Sequence, residues 1–503
     1  MRQPVSFVLM MLMFGGVLLV GGVTVGCEGG DGDGDGDGDG DGDGDGDGDT
    51  SYNFDSRFQP GTNSVVYTGQ AVRHLLLLEL KNYVGGLSET SSIAASETDL
   101  VNAMLFYYDY KNQGGTGDDS ISISLSGDEE LSQNTFGDVA SPASLYEKMP
   151  DIDNAYDTPV AGWGDGTMLP DAVARDMFAK LAQNIVARYN GTIPQDPFGN
   201  DIESAYVTAE GIDYQQLIQK FLTGAVAYGQ AADDYLDNDT DGKGILADNA
   251  EAVVKNGEES PYSALEHHWD EAFGYFGAAR DYLDYTDDEI SGKGGRDAYQ
   301  YGHHDTNGDG FIDWVTEKNH GYAVNAAKRD RGAASLAATD FTSEAYNAFR
   351  DGRALIADNS TLTAAQLDEL VTYRTTLLGA WEKAIAGTVV HYINDTLGDM
   401  QSFGTPCSDT ITSDCYSFTS HAKHWSEMKG FALVLAFNPH KLISDAEIAS
   451  IHTHFGLKPV LPSAPQADID AYKASLSAAR DVLKTAYGFA DALMGDANGG
   501  NGW

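Results

Sequence analysis

Two stretches of this chain place a histidine and a glutamate three residues apart: His268-Trp269-Asp270-Glu271 and His424-Trp425-Ser426-Glu427. On a helix such residues share a face, so each stretch presents an imidazole and a carboxylate together. That is metal-ligand spacing, and the second copy extends it, because His421 precedes His424 by another three. Imidazole with carboxylate suits iron or zinc, and di-iron bundles take Glu and His at this spacing from core helices. The structural alternative is that each pair braces one helix against another, with Trp269 and Trp425 as core. A single pair would favour bracing; two copies and a third histidine in line favour a site.

The likeness of the two stretches runs further. Across 268–275 and 424–431, His, Trp, Glu, Gly and an aromatic recur in register at an offset of 424 − 268 = 156 residues, which points to an internal duplication with one copy per helical bundle. Peptidase signatures are missing: no His-Glu-x-x-His occurs, and Ala272 and Met428 follow the glutamates where the inverted form needs His. There is no Gly-x-Ser-x-Gly elbow. What remains is metal or ligand binding.

A second set of ligand-type residues is Asp305, Asn307, Asp309 and Asp313 around Gly310. Their spacing matches the first part of an EF-hand calcium loop, although position twelve is Thr316 and Glu317 falls one place late. Asp237, Asp239, Asp241 and Asp248 form a looser version with Lys243 inside it. The alternative in each case is an Asx-rich turn, and a bound calcium would fasten a loop.

The elements that position these groups read as helices. Ile469, Tyr472, Leu476, Ala479, Leu483, Ala486, Ala490 and Leu493 recur three or four apart, and similar segments lie near 70–84, 170–189, 212–236, 260–284, 340–357, 363–394, 419–437 and 443–455. Strand-like alternation is confined to short pieces such as 121–126. The predicted fold is all-α: two packed helical bundles related by internal duplication. A body of this size exceeds what one core usually serves. Residues 51–300 would form the first bundle, with His268 and Glu271, and 301–503 the second, with His424 and Glu427, the two free to interleave.

Ahead of the body, residues 1–26 read as a secretory signal, with Arg2 before an apolar stretch interrupted by Gly pairs. The stretch ends Thr24-Val25-Gly26-Cys27, which resembles the lipobox of bacterial lipoproteins and makes Cys27 the lipidation site. Residues 27–50 then form a tether in which Asp and Gly alternate from Asp31 to Asp49; such a tract repels itself and buries nothing. Glu28 after the cysteine favours the outer membrane, facing the periplasm or the exterior. In that oxidising setting Cys407 and Cys415 are expected to pair as a disulfide, a thiol metal pair being the alternative.

The 503 residues carry 77 Asp+Glu against 30 Lys+Arg, a net charge of −47. Removing Arg2, Glu28 and the ten tract aspartates leaves 29 bases and 66 acids, or −37, on residues 51–503. Nucleic acid is excluded as a partner on electrostatic grounds. Three cysteines build neither a disulfide scaffold nor a four-thiolate zinc site.

The segments Glu266-His267-His268-Trp269-Asp270-Glu271-Ala272-Phe273-Gly274-Tyr275-Phe276-Gly277, Asn325-Ala326-Ala327-Lys328-Arg329-Asp330 and Lys423-His424-Trp425-Ser426-Glu427-Met428-Lys429-Gly430-Phe431 resemble imelysin-like bacterial lipoproteins carrying a domain of unknown function. The resemblance covers roughly 51–500. It implies two helical bundles related by duplication, a His-x-x-Glu motif near their interface, and an association with iron-regulated uptake. His268 and Glu271 match that motif, while Glu266 stands where Gly is usual. The function expected is a membrane-anchored, exported metal-binding lipoprotein. It would take iron, zinc or an iron-bearing ligand such as haem at His268, Glu271, His424 and Glu427, with His421 accessory, and pass it to an outer-membrane receptor. The alternatives are an imelysin-type metallopeptidase and a calcium-stabilised acidic interaction module.

Overall fold

The computed structural model describes residues 50–87, 96–113, 122–125, 127, 129–153, 156–407 and 415–503. The leader, Cys27 and the Asp-Gly tract lie outside the described residues. Among those described, the chain is mostly helical. Its first half holds α1 (Thr68–Gly85), α2 (Glu97–Tyr108), α3 (Phe136–Val139), α4 (Pro150–Asp153), α5 (Pro170–Tyr189), α6 (Tyr214–Thr223), α7 (Ala264–Phe276) and α8 (Asp287–Ile290). The second half holds α9 (Gly321–Ala333), α10 (Phe341–Ala357), α11 (Ala364–Gln401), α12 (Phe418–Val434), α13 (Asp445–Phe455) and α14 (Gln466–Tyr487).

The only sheet among the described residues is a hairpin just before α7, in which β1 (Ala252–Lys255) pairs antiparallel with β2 (Glu258–Ser263). Its turn is Asn256-Gly257, and both residues sit at positive φ, 55° and 89°. That is the backbone a two-residue hairpin turn demands. Residues 122–125 do not form a strand; Ser122 makes one isolated bridge to Thr135.

The 38-residue helix α11 organises the second half. Thr363 starts it with a capping box to Gln366, and Leu370, Leu377, Trp381, Ile385, Val389, Ile393 and Leu397 are buried along its length. It packs against α9, α10, α12 and α14. Helices of the two halves interleave: α12 lies against α6, and α7 against both α9 and α10. Residues Thr50–Trp503 form one unit. Trp381 marks the crossing, within 5.2 Å of the Tyr228 and Phe276 rings and 5.4 Å of Tyr322.

Two buried polar clusters fasten the same region. Arg353, fully buried on α10, donates to Asp270 at 2.9 Å, Glu266 at 3.2 Å and Ser64 at 2.7 Å. Glu382, fully buried on α11, accepts from the hydroxyls of Tyr228 and Tyr487, the amide of Asn438 and the backbone N–H of Leu442, all within 2.7–3.0 Å. Each carboxylate lies where an unpaired charge would be costly, and each draws partners from segments distant in sequence, although Asp270 bonds through Oδ1 alone.

Candidate functional site

Helix α7 begins where Ser263 and Glu266 exchange hydrogen bonds, at 3.1 and 2.7 Å, and ends at Gly277 with φ 88°. Its apolar face buries Trp269, Phe273 and Phe276. The Trp269 indole donates to the Phe349 carbonyl at 2.8 Å and lies so close to Gly352 that a Cβ there would fall 2.2 Å from the ring. Glu266 therefore has two structural tasks, capping α7 and pairing with Arg353.

The first His-Glu pair does not meet. His268 Nδ1 is 3.2 Å from the Gly244 carbonyl, whereas Glu271 accepts from Gln70 at 2.9 Å. The imidazole within ion-pair range of Glu271 is His267, one turn away at 3.8 Å and stacked on Tyr262. Gly244 belongs to the wall of an acidic hollow of about 370 Å³ that also contains Asp153, Asp233, Asp234, Asp237 and Asp239 beside Lys148 and Lys243.

The second pair lies in a different setting. Helix α12 is capped by Ser417 and faces α11, whose His391, Asp395 and Asp399 follow one another at fours on one stripe. His424 Nδ1 is 2.9 Å from Asp399 Oδ2, and His421 Nδ1 is 3.4 Å from the same oxygen. Asp395 Oδ2 lies 3.9 Å from His424 Nε2 and 3.4 Å from His391 Nε2. His421 completes its bonding on the Val460 carbonyl at 3.1 Å. Three imidazoles and two carboxylates thus form one seam.

The electrostatics follow from these contacts. Burial alone would lower His424, but the Asp399 hydrogen bond and the charges of Asp399 and Asp395 outweigh it and raise its pKa. Asp399 is held below the usual carboxylate range because its two imidazoles overcome the effect of burial. Burial pushes Asp395 up to about 6. His391 is driven well below its ordinary value, by burial first and then by the charges of Arg329 and His424.

Glu427 turns away from this seam. It meets Lys220 on α6 at 3.3 Å and lies beside Tyr392. The two His-x-x-Glu pairs share no partner among the contacts described. The seam's nitrogen and carboxylate donors are those iron or zinc takes. Among the described residues, however, no three His, Cys, Asp or Glu side chains converge closely enough to hold a metal ion; the seam is arranged as a hydrogen-bonded network. Spacing had no means of revealing Asp399, Asp395 and His391, which reach His421 and His424 only through helix packing.

In the loop at 305–313 the ligand-type oxygens are occupied by the backbone. Asp305 accepts from Gly308, Asp309 and Gly310, Asn307 from Asp309, and Asp313 from Val315 and Thr316. Glu317 is buried and closes the loop, accepting from Thr306, Asn307 and Asp313 at 3.0, 3.1 and 2.8 Å. At the looser loop, Asp237 pairs with His440 at 3.1 Å. Cys407 and Cys415 are joined by a disulfide.

Residues 49–287 are similar to a family described as Domain of unknown function (DUF4856). That span contains α7 with His268 and Glu271 and stops before α9, α11 and α12. No curated protein matches the chain, and no solved structure does.

Proposed function

We propose that this chain is an exported lipoprotein, tethered through Cys27 and the Asp-Gly tract to the outer membrane, whose body binds iron or an iron-bearing ligand for uptake. The site is the α11–α12 seam of His391, Asp395, Asp399, His421 and His424. The observation that carries the reading is one carboxylate oxygen, Asp399 Oδ2, lying between the imidazoles of His421 and His424. A metal would take the place of the protons these groups now share and would have to draw the side chains closer than they stand in the hydrogen-bonded network, which requires the ligands deprotonated and binding weakened in acid. The pair His268 and Glu271 is the decayed counterpart of this seam in a duplicated chain, a reading that the recurrence 156 residues apart supports.

Titration of the purified protein with ferrous iron and with zinc tests this reading. His421→Ala/His424→Ala should lose the transition-metal site while His268→Ala keeps it. Equal affinity in all three proteins would remove the seam assignment, and loss only in His268→Ala would move the site to α7.

Calcium is a second reading, favoured by the closure of the 305–313 loop over Glu317. It predicts a melting temperature that rises with calcium and returns to its starting value in Asp305→Ala. No shift on calcium addition would dismiss it.

A further inference from the structure

The face of α12 that carries Glu427 borders a cavity of about 470 Å³ whose character is opposite to that of the molecule around it. Five helices turn one stripe each towards it: α1, α6, α9, α11 and α12. They bring Lys81, Lys220, Lys328, Arg329 and Lys423 together with a single carboxylate, Glu427. In a body with 66 acids and 29 bases, five cations around one acid is an inversion of the local composition.

Few of these charges are directly paired. Among the described residues, Lys220 with Glu427 is the one ion pair at the cavity, and Lys81, Lys328, Arg329 and Lys423 have none. Lys328 is exposed and Lys81 half-buried, but the protein packed around each ammonium, and then the charge of Lys220, lowers both to about 8. Packing like charges with so few direct ion pairs is unfavourable, in a chain with acids to spare.

A second observation is independent of charge. Arg329 is only 6% exposed, yet its Nε and Nη1 have no hydrogen-bond partner. The side-chain oxygens of Gln216, Gln219 and Asn325 and the Oε2 of Glu427, all at this cavity, are likewise buried without partners. Buried polar atoms are normally satisfied, so a cluster of orphans around a hollow marks groups waiting for a ligand. Both kinds are present: guanidinium and ammonium donors for anionic oxygens, and amide and carboxylate oxygens for hydroxyl donors. The cavity has the volume of a small-molecule site and exceeds a bare inorganic ion.

We propose that this cavity binds a small organic oxyanion that carries at least two negative charges and hydroxyl groups, the chemistry shared by hydroxy-polycarboxylates and sugar phosphates. Arg329, Lys328 and Lys423 grip its anionic oxygens, and the amides of Asn325, Gln216 and Gln219 take its hydroxyls. The site is separate from the metal seam, and its test reads out with no metal present.

The experiment is calorimetric titration of the whole protein, in chelator at fixed ionic strength, with citrate, glucose 6-phosphate, inorganic phosphate and chloride. The expected result is one saturable site for citrate or glucose 6-phosphate, at least tenfold weaker in Arg329→Gln and in Lys328→Gln/Lys423→Gln. The second variant removes more accessible charges, so it guards against misfolding of the first. Lys148→Gln, in the acidic hollow, should bind as the parent does. Whichever organic anion binds more tightly identifies the carboxylate or phosphate source. No saturable binding by either, equal binding by inorganic phosphate, or affinity unchanged in Lys328→Gln/Lys423→Gln would overturn the proposal.

Discussion

A single oxygen of Asp399 lies 2.9 Å from Nδ1 of His424 and 3.4 Å from Nδ1 of His421, so two imidazoles one turn apart on α12 lean on one carboxylate from α11. The contact joins α11 and α12 at a half-buried seam. It is a helix-to-helix brace in which two imidazoles share one carboxylate oxygen.

The pair makes stability depend on pH in a defined direction. The pKa of His424 is raised, so its contribution is complete below the unfolded value near 6.5 and fades as pH rises through the folded value. The pKa of Asp399 is depressed, so its contribution is present above an unfolded value near 3.9 and fades as acid protonates it through its lower folded value. Asp399→Asn should therefore cost on the order of 1 kcal/mol between about pH 4 and 6.5, and less at alkaline pH. Urea midpoints of the two proteins at pH 6 and pH 8.5 measure the difference; an equal loss at both would show that the charge plays no part.

Arg353 should tolerate no neutral replacement. Arg353→Met leaves Asp270 buried without a cation and Glu266 with only Arg57 at 3.3 Å, and Asp270 is already pushed up to about 6 by burial. A loss of about 3–5 kcal/mol is expected, the usual cost of breaking a buried pair from one side. Denaturant unfolding measures it, and a change below 1 kcal/mol would contradict the structural role given to this cluster.

Glu382→Gln tests the other buried cluster. All four partners of Glu382 are donors, so an amide NH₂ would face a donor where an oxygen now accepts. The expected cost is about 1–3 kcal/mol, with either Tyr228 and Asn438 or Tyr487 and Leu442 losing an acceptor, depending on which oxygen the amide replaces. Thermal unfolding at neutral pH is the measurement, and a neutral substitution would mean the site repacks.

The cationic cavity should lose its grip as pH rises. The groups facing it are Lys81, Lys220, Lys328, Arg329, Lys423, Glu427, Tyr392, His320 and Tyr322, the last kept neutral because burial raises its pKa. Burial keeps Tyr392 and His320 neutral, the first by raising its pKa and the second by lowering it well below the ordinary value. Glu427 stays ionised because the charges of Lys220 and Lys423 outweigh its burial. That leaves Lys81 and Lys328, at about 8 each, as the groups that discharge. Citrate affinity measured at pH 7 and pH 9 should fall at least tenfold, and in Lys328→Gln the fall should shrink. A flat profile would separate binding from these two lysines.

Much of the fold is legible in the sequence wherever apolar residues recur at helical spacing, as along α14 and most of α11. The periodic stretch at 363–394 continues as helix to Gln401 because Leu397 and Met400 remain on the buried stripe. Helix α9 gives no such signal: Gly321–Ala333 is mostly small and charged, and tertiary packing against α8, α10 and α11 decides it. The hairpin before α7 is announced by Asn256-Gly257, a turn signal overshadowed by the helical pattern around it. At the candidate site, spacing singles out His421, His424 and Glu427 but says nothing of direction. His424 faces α11 and Glu427 faces α6, because α12 is wedged between the two. The cationic cavity is invisible in sequence for the same reason, since its five cations come from four separate helices.

The placement of that cavity within so acidic a body has a kinetic consequence. Far from the surface an incoming dianion meets the field of a −37 body; inside the mouth it meets four unpaired cations. Salt screens the long-range repulsion over roughly 8–10 Å but reaches the enclosed contacts less. Association should accordingly quicken as ionic strength rises, the reverse of the usual slowing between opposite charges. Dissociation should respond weakly.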